Sequence, residues 1–260
     1  MAKYTLPTQP KQDVTTLLAV PASNVVADVN ILERPLRVSV IVPALNEETA
    51  IGDTICSIRA VKEVFEVIVV DGGSSDATTA IARNSGAKVI TAPRGRGSQL
   101  RIGAQHASGD ILWFIHADTH PQEDAVKDIR CALARRCAIG GYFRSRFTGT
   151  TWGAYVSTWG YFVLRAIGIV WGDCAIFVRR DAYNDFGGVP DLPLFEDAEL
   201  VCRIRQHGRL IGVPKWVTTS SRRFETRSYV ATLLQWVGLH LLYSAGVSAE
   251  RLVTLYKDIR

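Results

Sequence analysis

The chain has 260 residues, 47% of them apolar, with six tryptophans; this is ample for a sizeable core and excludes a globally disordered chain. Thirty Lys and Arg against 25 Asp and Glu leave a formal charge of +5, a balance that suits anionic partners. The basic residues are scattered apart from Arg94 and Arg96 with Arg101, and Arg222-Arg223. No basic patch interleaved with aromatics marks a nucleic-acid surface, so no nucleic acid partner is expected.

Residues 1–36 show no clean hydrophobic period and carry Asp13 where a secretory leader would need an apolar core, so they read as a tail or strap. Five cysteines (Cys56, Cys131, Cys137, Cys174, Cys202) are odd in number, form no CxxC pair and sit in apolar or helical patterns. That pattern predicts buried thiols in a reducing, cytoplasmic setting. From residue 37 the pattern becomes regular. Val38, Val40, Ile41 and Val42 make a buried strand that stops at Pro43, and Asn46-Glu47 leads into a helix with Ile51, Ile55 and Ile58 at helical spacing. A second strand at 67–70 halts at Asp71-Gly72-Gly73-Ser74-Ser75-Asp76, and a helix through Ile81 closes near Gly86. A third strand at 88–90, a helix at 98–106, a fourth strand at 111–115 and a helix from Pro121 to about Arg136 follow.

Strands alternating with helices over eighty or so residues predict an α/β fold, a doubly wound, mostly parallel sheet with right-handed crossovers. Beyond Arg136 the regularity breaks into a smaller mixed section. Strands are expected at 140–143, 175–178 and 210–213, a loop at 191–195 and a helix at 196–206. Residues 229–247 are mostly apolar but are interrupted by Gln235, His240 and Ser244. They therefore lack the ~20 uninterrupted apolar residues of a span and predict a packed or interfacial amphipathic helix. The expected organisation is a tail at 1–36, a main domain at 37–228 and a C-terminal helical segment at 229–260 packed on it.

In such sheets ligands bind outside the carboxyl ends of the strands. Collected there are Asn46 and Glu47, then Asp71 with Gly73, then Arg94 and Arg96, then His116, Asp118 and His120. Asp71 ends a strand where a turn alone has no need of a carboxylate, whereas Asp76 reads as the cap of the following helix. Asp118 suits a divalent cation that also takes phosphate oxygens; a zinc site built from His116 and His120 is not expected, because no further His or Cys cluster completes it. Glu196-Asp197-Ala198-Glu199 places three carboxylates in the first turn of a helix. Two readings stand for them: dipole complementarity, at ~0.3–1 kcal/mol each, or a general base in a partly desolvated cleft. Arg222-Arg223 reads equally as a solvated turn or as a clamp on a diphosphate.

The segments at 40–48, 69–76, 109–118 and 195–200, in this order, resemble an inverting glycosyltransferase of family 2 with the GT-A nucleotide-sugar fold. The run His116-Ala117-Asp118-Thr119, Gly172-Asp173 before Ala175-Ile176-Phe177, and Ser221-Arg222-Arg223 resemble the compact bacterial subgroup associated with radical-SAM and selenodomain proteins. This resemblance implies a UDP- or GDP-linked donor and an acceptor hydroxyl, with Mn2+ or Mg2+ as cofactor. Pro43, Ala44, Asn46, Glu47, Asp71 and Gly73 would hold the nucleoside. Arg94, Arg96, Arg101, Ala117, Arg222 and Arg223 would complete the donor site. Asp118, the last acid of a DxD motif whose first acid is His116 here, would hold the metal. Asp197 would be the base, with Glu196 beside it. Arg101 stands where relatives usually carry Asn. A nucleotidyltransferase and a non-catalytic nucleotide-sugar binder are the alternatives; the first usually carries a glycine-rich basic signature after strand one, whereas Pro43-Ala44-Leu45-Asn46-Glu47 is acidic. The acceptor is a small molecule, sugar or lipid, with Trp152, Tyr155, Trp159, Tyr161 and Trp171 as either a pocket or ordinary core. The C-terminal helix is a candidate for peripheral contact with a cytoplasmic membrane face.

Overall fold

Short segments rich in Val and Ile build the first half of a sheet because both of its faces are covered. The computed structural model describes residues 34–148, 160, 168–220 and 229–255. Its contacts divide the chain into Met1–Pro35 and Leu36–Arg260, and the architecture here is that of the second unit. Strands β1 (Val38–Ala44), β2 (Val64–Asp71), β3 (Lys88–Thr91) and β4 (Ile111–Phe114) are parallel, with β1 between β2 and β4 and β3 outside β2. Along β1 and β4 alternate residues serve opposite cores. Val38, Val40, Val42 and Trp113 join one cluster, while Ile41, Leu112 and Phe114 join the other. Covering the first face, α1 (Ile51–Ala60) brings Ile51, Ile55 and Ile58 and α4 (Ala125–Leu133) brings Val126 and Ile129; α2 (Thr78–Asn84) adds Ala82. Each such aliphatic side chain contributes about 1.5–3 kcal/mol when fully buried. This explains why the strands read as continuous apolar runs.

The second face is covered by α3 (Arg96–His106) through Leu100 and Ala104, and by α6 (Glu196–His207) through Leu200, Val201 and Ile204. Strands β5 (Thr119–His120), β6 (Ala138–Phe147), β7 (Phe177–Arg179) and β8 (Arg209–Thr219) extend the sheet to the order β3-β2-β1-β4-β7-β6-β8-β5. The chirality of the parallel half aligns the ends of its strands. Ala44 pairs with Asp71 and Asp71 with Thr91, and Phe114 lies beside Ile41. Beyond β4 the sheet turns mixed, since β7 is antiparallel to β4 and to β6.

Several expectations shift. The strand expected at 210–213 continues to Thr219, through Pro214, because its partner β6 is equally long. The helix expected from Pro121 begins at Ala125, since Thr119 and His120 first pair with Thr219 and Thr218. A helix α5 (Arg180–Asp185) follows β7 without having been foreseen. The cysteines overturn an expectation: all are free, and only Cys174 is buried, while Cys56, Cys131, Cys137 and Cys202 are exposed. Cys56, next to the buried Ile55, occupies the outer side of α1, where apolar sequence neighbours give no cover. Helices α7 (Tyr229–Ser244) and α8 (Ala249–Leu255) end the described chain, and Leu239 and Leu252 pack with Leu194 and Phe195. No helix among the described residues is long and apolar enough to cross a membrane.

Candidate active site

The loops after β1 and β2 are stitched to one another by backbone and side-chain hydrogen bonds. The Ser75 amide donates to Asn46 Oδ1 at 2.9 Å and the Ala77 amide to Glu48 Oε2 at 3.0 Å. In return the amides of Asn46, Glu47 and Glu48 donate to Ser74 Oγ, Thr78 Oγ1 and Asp76 Oδ2. Asp71 is 3% exposed, and its carboxylate accepts the amides of Gly73 at 3.0 Å and Ser74 at 3.1 Å. The turn therefore uses this carboxylate, contrary to the expectation that a turn alone would not need one. Asp76 accepts from the amide and hydroxyl of Thr78; the cap position of α2 is Ala77, so Asp76 braces the turn one residue before the cap instead of capping the helix as expected.

Sequence reasoning gave no role to Gln99, yet it braces this edge. It is buried, and its Nε2 donates to the carbonyls of Ala44 and Val70, each at 2.8 Å. A signal was present: Gln99 lies on the same face of α3 as Arg96 and Gly103, one turn from each, and a polar residue on an inward face needs partners. Beside it opens a cavity of about 320 Å³ lined by Pro43, Ala44, Leu45, Glu47, Arg96, Gln99, His116 and Ala117. Arg94 is exposed, and Arg101 is ion-paired with Asp191 at 2.9 Å.

A second cavity of about 300 Å³ shares Pro43, Arg96 and His116 with the first and adds Gly172, Asp197 and Leu200. Here the chain gathers charge from distant segments. Arg96 pairs through Nε with Glu196 and through Nη2 with Asp197 Oδ2 at 3.3 Å. Asp197 Oδ2 also accepts the Gly172 amide at 2.5 Å, and Oδ1 accepts the Ala198 amide at 2.8 Å. His116 Nδ1 lies 2.8 Å from Asp173 Oδ1. Glu196 is 3% exposed; burial raises its carboxyl above the ordinary range and Asp197 adds to this, while Arg96 and His116 oppose it. Burial also opposes the charge on Arg96, but Glu196, Asp197 and Asp173 outweigh it and hold the guanidinium above its ordinary value. Gly172 is the point where these groups meet. A methyl group there would lie 2.6 Å from Arg96 Nη2, 2.9 Å from His116 Nε2 and 3.0 Å from Asp197 Oδ2.

The acid pair is presented by a constrained turn. Phe195 precedes it at φ 66°, a left-handed conformation that costs about 1–2 kcal/mol in a non-glycine residue. Its ring stacks on Tyr243 of α7 with centroids 4.7 Å apart and lies edge-on to His240 at 5.8 Å. Trp171 is buried, 6.3 Å from Trp236 and 6.4 Å from His240, and so joins the core. Burial lowers the His240 imidazole while Asp197 opposes that shift.

Asp118 stands apart from the acid pair, on the turn between β4 and β5. Thr219 Oγ1 donates to its Oδ1 at 3.3 Å, and the Ser220 amide donates to its carbonyl at 3.2 Å. Among the described residues no group of three His, Cys, Asp or Glu side chains forms a metal cage. A single partly buried carboxylate at a strand end nevertheless fits a hard cation whose other ligands are phosphate oxygens and water. His120 is turned to Ser57 of α1, 3.0 Å away. Trp152, Tyr155, Trp159, Tyr161, Arg222 and Arg223 lie outside the described residues.

Comparison with known proteins gives this geometry its setting. Residues 39–182, more than half of the chain, match the family described as Glycosyl transferase family 2. A probable glycosyltransferase, YdaM, of Bacillus subtilis is 30% identical over 209 residues, 69% of this chain and 49% of that protein. The chain spans about half the length, or less, of the curated relatives it matches. Among solved structures, the mannosyltransferase PcManGT from Pyrobaculum calidifontis, in complex with GDP-Man and Mn2+, superposes with a TM-score of 0.58 at 21% identity, covering 72% of this chain and 57% of that one. The glucosyl-3-phosphoglycerate synthase of Mycobacterium tuberculosis, in complex with Mn2+, UDP and glucosyl-3-phosphoglycerate, gives 0.57 at 23% identity, covering 82% and 81%; the same synthase has been crystallised with Mg2+ and UDP. The fold is thus the GT-A fold, and the chain belongs to glycosyl transferase family 2.

Proposed function

We propose that this protein transfers a sugar from a UDP- or GDP-linked donor to an acceptor hydroxyl, with inversion at the anomeric carbon and with Mn2+ or Mg2+ bound. The observation that carries this reading is the pair of adjoining cavities that share Pro43, Arg96 and His116. One is walled by the loop after β1, and the other contains Asp197. The complexes of the related proteins with GDP-Man, UDP and divalent cations support the donor class.

In this mechanism Pro43, Ala44, Asn46 and Glu47 hold the nucleoside, and Asp71 orders the Gly73–Ser74 backbone against it. Asp118 would ligate the cation, with Ala117 next to it in the chain and Arg94 and Arg101 as further basic groups of the donor site; Arg222 and Arg223, outside the described residues, are assigned to that site by the resemblance alone. When bound, the cation would supply charge neutralisation for the diphosphate leaving group. Asp197 accepts the proton of the acceptor hydroxyl as that oxygen attacks the anomeric carbon from the face opposite the leaving group. Glu196, buried next to it, keeps the acid pair tied to Arg96. The subgroup associated with radical-SAM and selenodomain proteins belongs to this reading, as does a cytoplasmic site of action with peripheral membrane contact.

Calorimetric titration of UDP and GDP with and without Mn2+ tests the donor site. Metal-dependent binding of one nucleotide is expected, with a loss of about 10–100-fold in Asp118→Asn. Equal affinity in that variant, with metal dependence intact, would sink the assignment of Asp118.

A further inference from the structure

Arg96 occupies a place that the donor site alone does not explain. It lines both cavities, yet its guanidinium is spent on Glu196 and Asp197, two residues of the acceptor side. The hydrogen bonds to Asp197 sharpen the point. A carboxylate oxygen has two lone-pair directions, and those of Oδ2 are taken by the Gly172 amide and by Arg96 Nη2. Oδ1 keeps a second direction beside the Ala198 amide, but Oδ2 is the oxygen turned to Arg96 and Gly172, which line the second cavity with it. An acceptor hydroxyl that is to give its proton to Oδ2 must replace one of these donors. The Gly172 amide is fixed in a tight 3-10 turn at Gly172–Cys174 and sits at 2.5 Å. Arg96 is a long side chain at 3.3 Å and is therefore the partner that can leave.

It also has somewhere to go. Pro43, Ala44, His116 and Ala117 lie with it in the first cavity, where a donor's diphosphate would offer the planar, bidentate acceptor geometry that guanidinium favours. Gly95, immediately before it, has φ 137°, so the backbone that carries Arg96 is held by a residue free of Cβ restraint. We infer that Arg96 is a positioning residue that exchanges partners: it closes over Asp197 and Glu196 until a donor binds, then turns to the diphosphate and so opens Asp197 to the acceptor hydroxyl. This inference rests on the donor and base assignments proposed above. It predicts ordered binding, donor before acceptor.

The exchange leaves a chemical trace that needs no acceptor. Glu196 is faced by Arg96 from α3, by Asp197 on its own helix and by His116 from the loop after β4, with Asp173 close to Arg96. Once Arg96 departs, two adjacent carboxylates share a buried site without their counter-ion, and such a pair keeps one proton. Donor binding should therefore draw a proton from solvent. UDP-glucose and GDP-mannose are suitable probes because their diphosphates are diesters with no group that titrates near neutrality.

The experiment is calorimetry of both probes with Mn2+ at pH 7.5, in two buffers of different ionisation enthalpy. Net proton uptake on donor binding is expected in the native protein, short of one proton per donor because burial already raises Glu196 while Arg96 is in place. In Arg96→Gln the uptake disappears and the donor binds about tenfold more weakly, because the diphosphate loses a charged hydrogen bond. In Glu196→Gln, a near-isosteric change, the uptake also falls, but the donor binds several-fold more tightly, since Arg96 is no longer held back. A purely structural Arg96 would not move the two affinities in opposite directions. Donor binding without proton uptake in the native protein, or unchanged or weaker affinity in Glu196→Gln, would overturn the inference and leave the donor site standing. Binding of neither probe would overturn the donor reading and this inference with it.

Discussion

The two cavities are built by different logic. The one beneath Pro43 and Glu47 is assembled from loops that follow consecutive parallel strands and are sewn together by short hydrogen bonds such as Asn46 to Ser75 and Glu48 to Ala77. These bonds join segments 28 to 31 residues apart and are many, so its shape is shared among them. The cavity at Asp197 depends instead on a few single contacts: Arg96 reaches Asp197 across 101 residues of sequence, and Gly172 reaches it across 25. The first cavity is a scaffold and the second is a junction, so substitutions at the junction should cost far more activity than stability.

The sharpest test of that contrast is Asp197→Asn. If this carboxylate is the base, transfer falls by about 10²–10⁴-fold while donor binding is retained or tightened, since the general base contributes to the transition state and Asn holds Arg96 less firmly than Asp197 does. Retained turnover would move the base elsewhere, whereas no transfer in the native protein either would reduce the chain to a nucleotide-sugar binder.

Next in size is Gly172→Ala. The added methyl would press on Arg96, His116 and Asp197 together, at 2.6 to 3.0 Å, so at least two of them must shift. A displacement of this order at the reacting groups costs about 10²-fold in kcat, with donor affinity much less affected. Near-native kcat would show that the three groups do not act as one constellation.

Gln99→Leu probes the scaffold by the opposite route. It removes the donor that ties the carbonyls of Ala44 and Val70; the Ala44 carbonyl keeps the Gly72 amide, so the cost is that of two lost neutral hydrogen bonds, about 0.5–1.5 kcal/mol each. Thermal unfolding should show Tm lower by roughly 5 °C, while kcat at saturating donor changes little. A variant as stable as the native protein would mean that the two loops hold this edge without Gln99.

These unequal roles account for what the sequence discloses. The parallel half is legible because each strand, loop and helix is contiguous, and an apolar run such as Val38 to Val42 has only one way to be buried on both sides. Asp71 is legible as the residue that ends β2, and Asp118 as a carboxylate in the turn after β4. Arg96 is legible only as a basic residue at that edge, and Asp173 only as the neighbour of Gly172; their pairing with Asp197 and His116 resists reading, because those partners come from other elements and only the mixed half of the sheet brings them together. The exposed cysteines show the same limit in a plainer form. An apolar sequence neighbour says nothing of which side of a helix a residue occupies, and that depends on the elements packed against it.

The smallest expected effect concerns the outermost part of the fold. On α7, Leu234, Leu241 and Leu242 are 65%, 62% and 43% exposed. Their spacing of seven and eight residues places them on one stripe. Phe195 and Tyr243 fasten the same helix to the turn that presents the acid pair, so a surface that engages the stripe would lie close to where acceptors meet Asp197. The net positive charge of the chain favours an anionic lipid surface as the occupant. Co-sedimentation with phosphatidylglycerol vesicles should therefore exceed that with neutral vesicles and weaken with salt. Leu241→Gln with Leu242→Gln should reduce it about tenfold without altering Tm, because neither side chain is part of the core. Equal recovery in the supernatant with and without vesicles would remove the lipid surface as the occupant of this stripe.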